Sequence, residues 1–565
     1  MKRAQEASSS SSPPSTEVRQ DKYARFRRTN TYAPQLTVFR CTVHNSIYLE
    51  PLLKKITDTP HFQRLRNLKQ LGVTSRVYPC ANHTRFDHSL GVAHLAEKLC
   101  RRIAARSMPK EADAPTERDI MCVKIAALCH DLGHGPYSHV FDGHLVPRIL
   151  GPGKHKHEEL SVRLLRCLLK EHQINLSQEQ VGDGEYLDHI IDLRFIEELI
   201  LGDDLEGGVA KRRGRGHEKS YLYDIVSNAD SGFDVDKLDY LQRDPQMTGN
   251  APPQFKADHL FDNVQVRMAR FDGEQQPRPT ICFATKVATD VLGVFQTRYI
   301  MHKKTYTHKV SVGYELLLVD YLTAAEALGA LYPRAKPRTT PEGDGEVSGG
   351  LKLGETVTKG NESAFIKMTD ESVMSMYDQL LNACDHEWQS LPKNSPQRVD
   401  LAHARQLQTR LEKRQPYKCL GDRKWEEGLS KDSIASSLRA AGLDDADFHV
   451  ELQHCHFGKK AKNPLDAVRF YQKGDGPDDA AKQLSDQDID DADLPRAFES
   501  KRFRAFLKRD RSSPDYASVY RRAVTAVAQL RGWCHTPKRP RGQEAGGDEE
   551  EDVGGSSQQT EPDDL

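Results

Sequence analysis

The sequence predicts a mainly α-helical fold with a smaller mixed α+β region toward the C-terminus, and three observations carry that expectation. From Ser89 to Ile103, the apolar residues Leu90, Ala93, Leu95, Leu99 and Ile103 follow an approximate three-to-four spacing, the period of a helix that buries one face. TERD (Thr116 to Asp119) follows Pro115 and reads as a capping box with Asp in the Glu position, so a second helix is predicted to begin there. FHVELQHCHF (Phe448 to Phe457) reads as a strand within a C-terminal block that is otherwise helical in period.

Taken in order, residues 1–35 are rich in Ser and Pro and are expected to be disordered. Residues 36–335 are dense and helical in period. On the helix from Thr116, the residues Ile120, Val123, Ala127, His130 and Asp131 fall along one side, and Gly133 with Gly135 is expected to end it. Residues 336–361 are rich in Pro, Gly and charge and read as a linker or long loop. A second region spans 362–534, with an acidic stretch from Asp475 to Pro495 expected to be an exposed loop. Residues 535–565 form a low-complexity tail in which KRPR (Lys538 to Arg541) precedes an acidic run.

Composition narrows the function. With 81 basic and 82 acidic side chains, no global field selects a nucleic acid or an anionic membrane, so anion binding must come from local clusters. Eleven cysteines lie scattered without a CxxC pair, which fits reduced thiols in the cytosol or nucleus. No apolar run is long enough to span a bilayer and the N-terminus lacks an apolar signal core, so an intracellular chain without a membrane partner is expected.

Histidine marks the chemistry. ALCHDLGHGPYSHVFDGH, from Ala127 to His144, holds four histidines and two aspartates in eighteen residues. His130 and Asp131 are adjacent at the end of a predicted helix, where neighbours sit about 100° apart and can lean onto one ion. His88, in HTRFDHSLG, and Asp236, in DVDKLDYLQRD, complete a set of two imidazoles and two carboxylates. Such a set suits Fe, Mn or Zn and leaves positions open for water and substrate. A His-Asp pair alone is more often structural; the four in this order carry the reading.

The strings FQRLRNLKQLG, TRFDHSLGVAHLA, CHDLGHGPYSHVFDG, KHEELSV and DVDKLDYLQRD then resemble one family. So do FQTRYIMHKKTYTHKV, RQPYKCLGD and KNPLDAVRFY further on. The family is the deoxynucleoside triphosphate triphosphohydrolases of the HD superfamily, most similar in its eukaryotic SAM and HD domain-containing branch. The resemblance covers roughly residues 36 to 535 and implies an HD-domain helical bundle. The thirty-odd residues before Thr37 are too few for a SAM domain, so that module is expected to be missing.

The resemblance implies hydrolysis of a dNTP to deoxynucleoside and triphosphate, with Mg²⁺ accompanying the nucleotide. It casts His139 as general acid for the 5′ oxygen and His134 as a phosphate contact. It also pairs His157 with Asp142, with Glu158 nearby. Arg85, Lys237, Tyr240, Arg298 and His302 match substrate-binding positions. Gln70 and Asp244 match the readers of the sugar 3′-hydroxyl, and Leu71 and Tyr306 the residues that crowd the 2′ position. His144 matches no family position.

The resemblance also implies a homotetramer, with a dimer as the alternative, activated by GTP and dNTP at a separate site. Asp58, Gln63 and Arg66 match guanine-reading positions; Val38, Lys286, His308, Lys309, Arg414, Lys418 and Lys462 match other contacts. Departures are plain: the family's DPIHG reads CTVHN (Cys41 to Asn45), Thr37 replaces a lysine, Arg40 an asparagine, and His259 and Ala284 two arginines. Activation is therefore expected to persist with altered nucleotide preference. KRPR reads equally as a nuclear address or a solvated charge run. The alternative function is a nucleotide-responsive scaffold or single-stranded nucleic-acid binder, using Lys211 to Arg215 and the basic tail.

Overall fold

The computed structural model describes residues 35–530 apart from 107–112, 203–211, 229, 251, 272–275, 330–350, 477–478 and 485–493. The Ser/Pro-rich segment before residue 35, most of the expected linker, much of the acidic stretch and the KRPR tail lie outside the described residues. The fold is mainly helical with four small sheets among the described residues.

The helix predicted at Ser89–Ile103 runs over Arg85–Arg106. It starts earlier than its apolar pattern because Asp87 accepts from the backbone N–H (3.0 Å) and hydroxyl (2.9 Å) of Thr84. The helix Glu117–Cys129 opens on the predicted capping box: the Thr116 side chain accepts from Asp119 N–H, and Asp119 accepts from Thr116 N–H. It ends at Cys129, so His130 is the C-cap and Asp131 lies in the following turn rather than on the helix. These two helices pack together, and Val235–Thr248 packs across the first.

The expected division near residue 362 is not where the packing divides. Leu351, Leu353, Val357, Phe365, Met368 and Val373 belong to the same apolar core as Leu90, Val123 and Leu238. A fully buried side chain of this kind contributes roughly 1.5–3 kcal/mol. Composition hid these anchors, because the Pro/Gly-rich text of the expected linker runs directly into them. Helices Asp370–Trp388 and Pro396–Glu412 then pack on Lys309–Leu328. The KNPLDAVRFY motif adds its own strand, Arg469–Tyr471, in parallel to Arg278–Ala284. A second, smaller core gathers Leu420, Ile434, Leu438, Phe503 and Val527 around the sheet in which Glu499–Leu507 lies between Lys418–Lys424 and Phe448–His456. That is the α+β region.

Candidate active site and metal centre

Three separate helices deliver the expected metal set. His88 comes from the first turn of Arg85–Arg106, Asp236 from the first turn of Val235–Thr248, and His130 and Asp131 from the end of Glu117–Cys129. Nε2 of His88, Nε2 of His130 and a carboxylate oxygen of Asp236 converge: His88 is 2.9 Å and His130 3.7 Å from Asp236 Oδ1. Asp131 closes the set, 3.3 Å from His130 Nε2 and 3.7 Å from His88 Nε2.

Both imidazoles are oriented as ligands. His130 turns Nδ1 onto the Ala127 carbonyl at 2.8 Å, which leaves Nε2 buried without a hydrogen-bond partner. His88 turns Nδ1 onto Asp239 at 2.8 Å. Each second contact aims Nε2 at a common point, the arrangement that orients metal-bound histidines. An orphaned buried nitrogen facing two carboxylates fits a divalent cation, and the donor set of two nitrogens and two carboxylates fits Fe, Zn or Mn.

The electrostatics agree. Burial opposes ionisation of Asp131, but the Arg85 guanidinium 2.6 Å away, with His130 and His134, holds its carboxyl well below the usual range. Burial also opposes charge on His88, yet its hydrogen bonds to Asp236 and Asp239 outweigh it and raise the imidazole to about 10. A metal must therefore displace a proton from His88 at neutral pH, and metal affinity is expected to climb as pH rises toward 10. Calorimetric titration of Mn²⁺ in buffers of different ionisation enthalpy should read that proton release. For the metal-free chain the sign is opposite: the stabilisation from charged His88 is complete below about 6.5 and is lost as pH rises through 10.

Beside this set lies a row of further imidazoles. His134 and His157 stack at 3.9 Å between ring centroids, and His139 meets His134 edge-on at 5.4 Å. His134 Nε2 is 3.3 Å from Asp131, which couples the row to the metal set. His139 is an exposed residue at the edge of this row. Crowding by protein, then His134 and Arg85, lowers its pKa to about 4.

The turn carrying this row is tightly held. Gly133 lies so close to the next helix that a Cβ there would come within 2.1 Å of the His157 carbonyl oxygen. Tyr137 and Ser138 both adopt left-handed backbone (φ 61° and 55°), a costly state for two residues with side chains. Asp370 compensates: one carboxylate oxygen accepts from Tyr137 N–H at 2.7 Å, the other from Lys69 N–H at 3.0 Å. Arg64, also buried, donates to the carbonyls of Leu132, His134 and Met368. In Asp370→Asn one of those two N–H groups loses its acceptor, at about 1–3 kcal/mol. Thermal melts and steady-state kinetics are expected to show a lower Tm and a lower kcat together.

Comparison with known proteins now bears on this arrangement. The HD domain model matches residues 85–224, which hold His88, His130 and Asp131; an HD domain implies a divalent metal. Over 492 residues the chain is 34% identical to the deoxynucleoside triphosphate triphosphohydrolase SAMHD1 of Gallus gallus, covering 84% of this chain and 72% of that protein. The Homo sapiens protein of that name is 32% identical over 516 residues, covering 87% and 74%. A Dictyostelium discoideum homologue is 28% identical over 493 residues, covering 85% and 79%. The chain belongs to the SAMHD1 family.

One pairing expected from the sequence differs. Asp142 gives its short contacts to His134 (2.6 Å) and His155 (3.1 Å), whereas His157 stands 3.9 Å away and lies nearer Glu158, at 3.2 Å. The cause is local: Phe141–Leu145 is a π-helical turn, which sets Asp142 toward His134. A second π-turn, His302–Tyr306, places Tyr306 so that its hydroxyl donates to Asp244 at 2.6 Å. His83 holds the other oxygen of Asp244 at 2.8 Å. Lys237 is paired with Asp234 at 2.8 Å, and Arg298 donates to the His456 carbonyl. Tyr240 lies against His88, at 6.4 Å between rings. Burial, eased by Lys237 and Arg298, brings its hydroxyl to about 12. Leu71 is half-buried at the start of the Gly72–Arg76 turn.

The residues expected from the sequence to contact an activating nucleotide lie mostly on the surface. Arg66 stacks over Phe86 at 3.5 Å and donates to Gln63; exposed Asp58 pairs with Lys54, and Val38 is exposed on the hairpin Thr37–Cys41/Asn45–Leu49. His308 packs on Tyr78, and Arg414 donates to the Arg76 carbonyl. Lys286, Lys309 and Lys462 are exposed and Lys418 is half-buried. A recess of about 810 Å³ holds Val43 of the CTVHN stretch together with His259 and Lys256.

Sequence reasoning missed Asp239, Arg64, Asp370 and His155. Asp239 alone had a local signal, since it follows Asp236 by three residues on the same helical face. It is fully buried and also holds Arg243 and His44. Asp239→Asn is expected to weaken metal binding about 10–100-fold, read by metal titration of a chain whose circular dichroism is unchanged.

Proposed function

We propose that this chain hydrolyses deoxynucleoside triphosphates to deoxynucleoside and inorganic triphosphate. One observation supports this most: three buried polar atoms around the site, Nε2 of His130, Nη2 of Arg85 and Oε1 of Gln70, have no hydrogen-bond partner. Buried polar groups are nearly always satisfied, so these three await a ligand with a cation, an anionic oxygen and a hydroxyl donor. A metal-bound dNTP offers all three.

When bound, the metal supplies an activated water and polarises the α-phosphate. Arg85 is held by Asp131 and Ser138 with one nitrogen spare for phosphate, and Gln70 accepts from the 3′-hydroxyl. Tyr306 and Leu71 narrow the sugar pocket against a 2′-hydroxyl, and His139 delivers the proton to the departing 5′ oxygen. Lys237 and Arg298 exchange their internal contacts for phosphate. Ion-exchange chromatography of the products from dGTP and Mg²⁺ tests the reaction. Deoxyguanosine with intact triphosphate supports it; pyrophosphate or orthophosphate rejects it.

The same reading extends to regulation: a homotetramer, activated by GTP and dNTP, that controls dNTP pools. Lys256 beside His259 supplies a cation where the family's arginine is absent. Gel filtration with and without GTP plus dNTP is the test; a monomer with full turnover in the absence of activator rejects it. The KRPR tail supports a nuclear location, checked by imaging a chain lacking it. The nucleic-acid alternative loses part of its basis, because Arg215 is drawn into ion pairs with Asp119 (2.6 Å) and Asp192 (2.7 Å).

A further inference from the structure

The far end of the His157–Glu171 helix carries another set of metal-ligating side chains. Glu171 ends that helix, His172 is its C-cap, and His61 reaches them from the short helix Pro60–Gln63. One ligand atom from each lies within 4.8 Å of the other two. Fifteen residues separate His172 from His157, about 22 Å along a helix, so this set is distinct from the catalytic row.

His61 is the informative member. It is 3% exposed, and its Nδ1 is buried without a hydrogen-bond partner. Its Nε2 faces Glu171 at 3.6 Å, too far for a hydrogen bond. The His172 ring meets it edge-on, 5.6 Å between centroids at 90°. A buried imidazole nitrogen without a partner is costly. The negative end of the helix dipole favours a cation at this position.

We infer that His61, Glu171 and His172 form a second divalent-metal site whose donor set fits zinc: two imidazole nitrogens, one carboxylate oxygen and a water. Tetrahedral ligands at 2.0–2.1 Å stand about 3.4 Å apart. Closing the set therefore requires movements on the order of 1 Å, which exposed Glu171 and His172 take up while buried His61 stays in place. Chelation fastens the Pro60–Gln63 helix to the helix that begins at His157 and Glu158. The site does not depend on the reaction proposed above.

The test counts zinc on the full-length chain. After equilibration with Zn²⁺ and desalting, elemental analysis of the wild type is expected to give two equivalents per chain. His172→Ala and Glu171→Gln alter exposed residues and leave the fold intact; each is expected to give one. Asp131→Asn removes the first metal and should retain one equivalent, which disappears in Asp131→Asn/His172→Ala. Added Zn²⁺ should raise the Tm of the Asp131→Asn chain and leave that of the double variant unchanged. Two equivalents in His172→Ala, or none in a folded Asp131→Asn chain, overturn the assignment.

Discussion

Asp131→Asn is expected to lose the first metal and to reduce dGTP hydrolysis on the order of 10³-fold or more. Asp131 joins the candidate metal set to its neighbours: it faces the imidazoles of His88 and His130, pairs with Arg85 at 2.6 Å and meets His134 at 3.3 Å. The amide keeps the volume and removes the charge that balances a cation and a guanidinium at once. Arg85 is only 2% exposed and would be left without a carboxylate partner, so adding metal in excess should not restore activity. Elemental analysis and product chromatography on the same preparation check both outcomes. A variant that keeps its metal and half its turnover would remove Asp131 from the machinery.

The second large effect is at His139. His139→Gln is expected to lower kcat by about 10²–10⁴-fold, the usual worth of a positioned general acid. KM should change little, because the proposed reading assigns ground-state binding to Arg85, Gln70 and the metal set. The pH dependence gives a sharper reading. In the free chain His139 titrates near 4, so its acid form is scarce at neutral pH, and kcat/KM should decline as pH rises above that value. A bound triphosphate adds negative charge beside the ring and raises its pKa, so the decline in kcat should appear at higher pH than that in kcat/KM. His139→Gln should abolish both limbs. If KM rises while kcat and its pH profile stay unchanged, His139 binds phosphate and donates no proton.

Much of the candidate site's geometry was legible because its signals are short-range. A capping box announces the Glu117–Cys129 helix, and an adjacent His-Asp pair at its end announces two of the candidate ligands. The partner of Asp142 was not legible, since a π-turn shifts which imidazole it meets and no apolar period marks such a turn. Asp370 and Arg64 were invisible for another reason. Each acts on backbone groups far away in sequence, and a backbone carbonyl or N–H leaves no residue-specific trace. The division at 362 failed because composition reports the Pro/Gly-rich stretch and not the apolar anchors after it.

The brace from residues 368–370 to the histidine turn has a practical corollary for shortened forms of this chain. An isoform or cleavage product that stopped before Met368 would retain all four ligands and the whole stretch matched by the HD model. It would lack the Asp370 contacts that hold Tyr137 in its unfavourable backbone state, and the turn is expected to relax. An inventory of the candidate ligands alone would score such a fragment as competent even though the turn beside them had lost its brace.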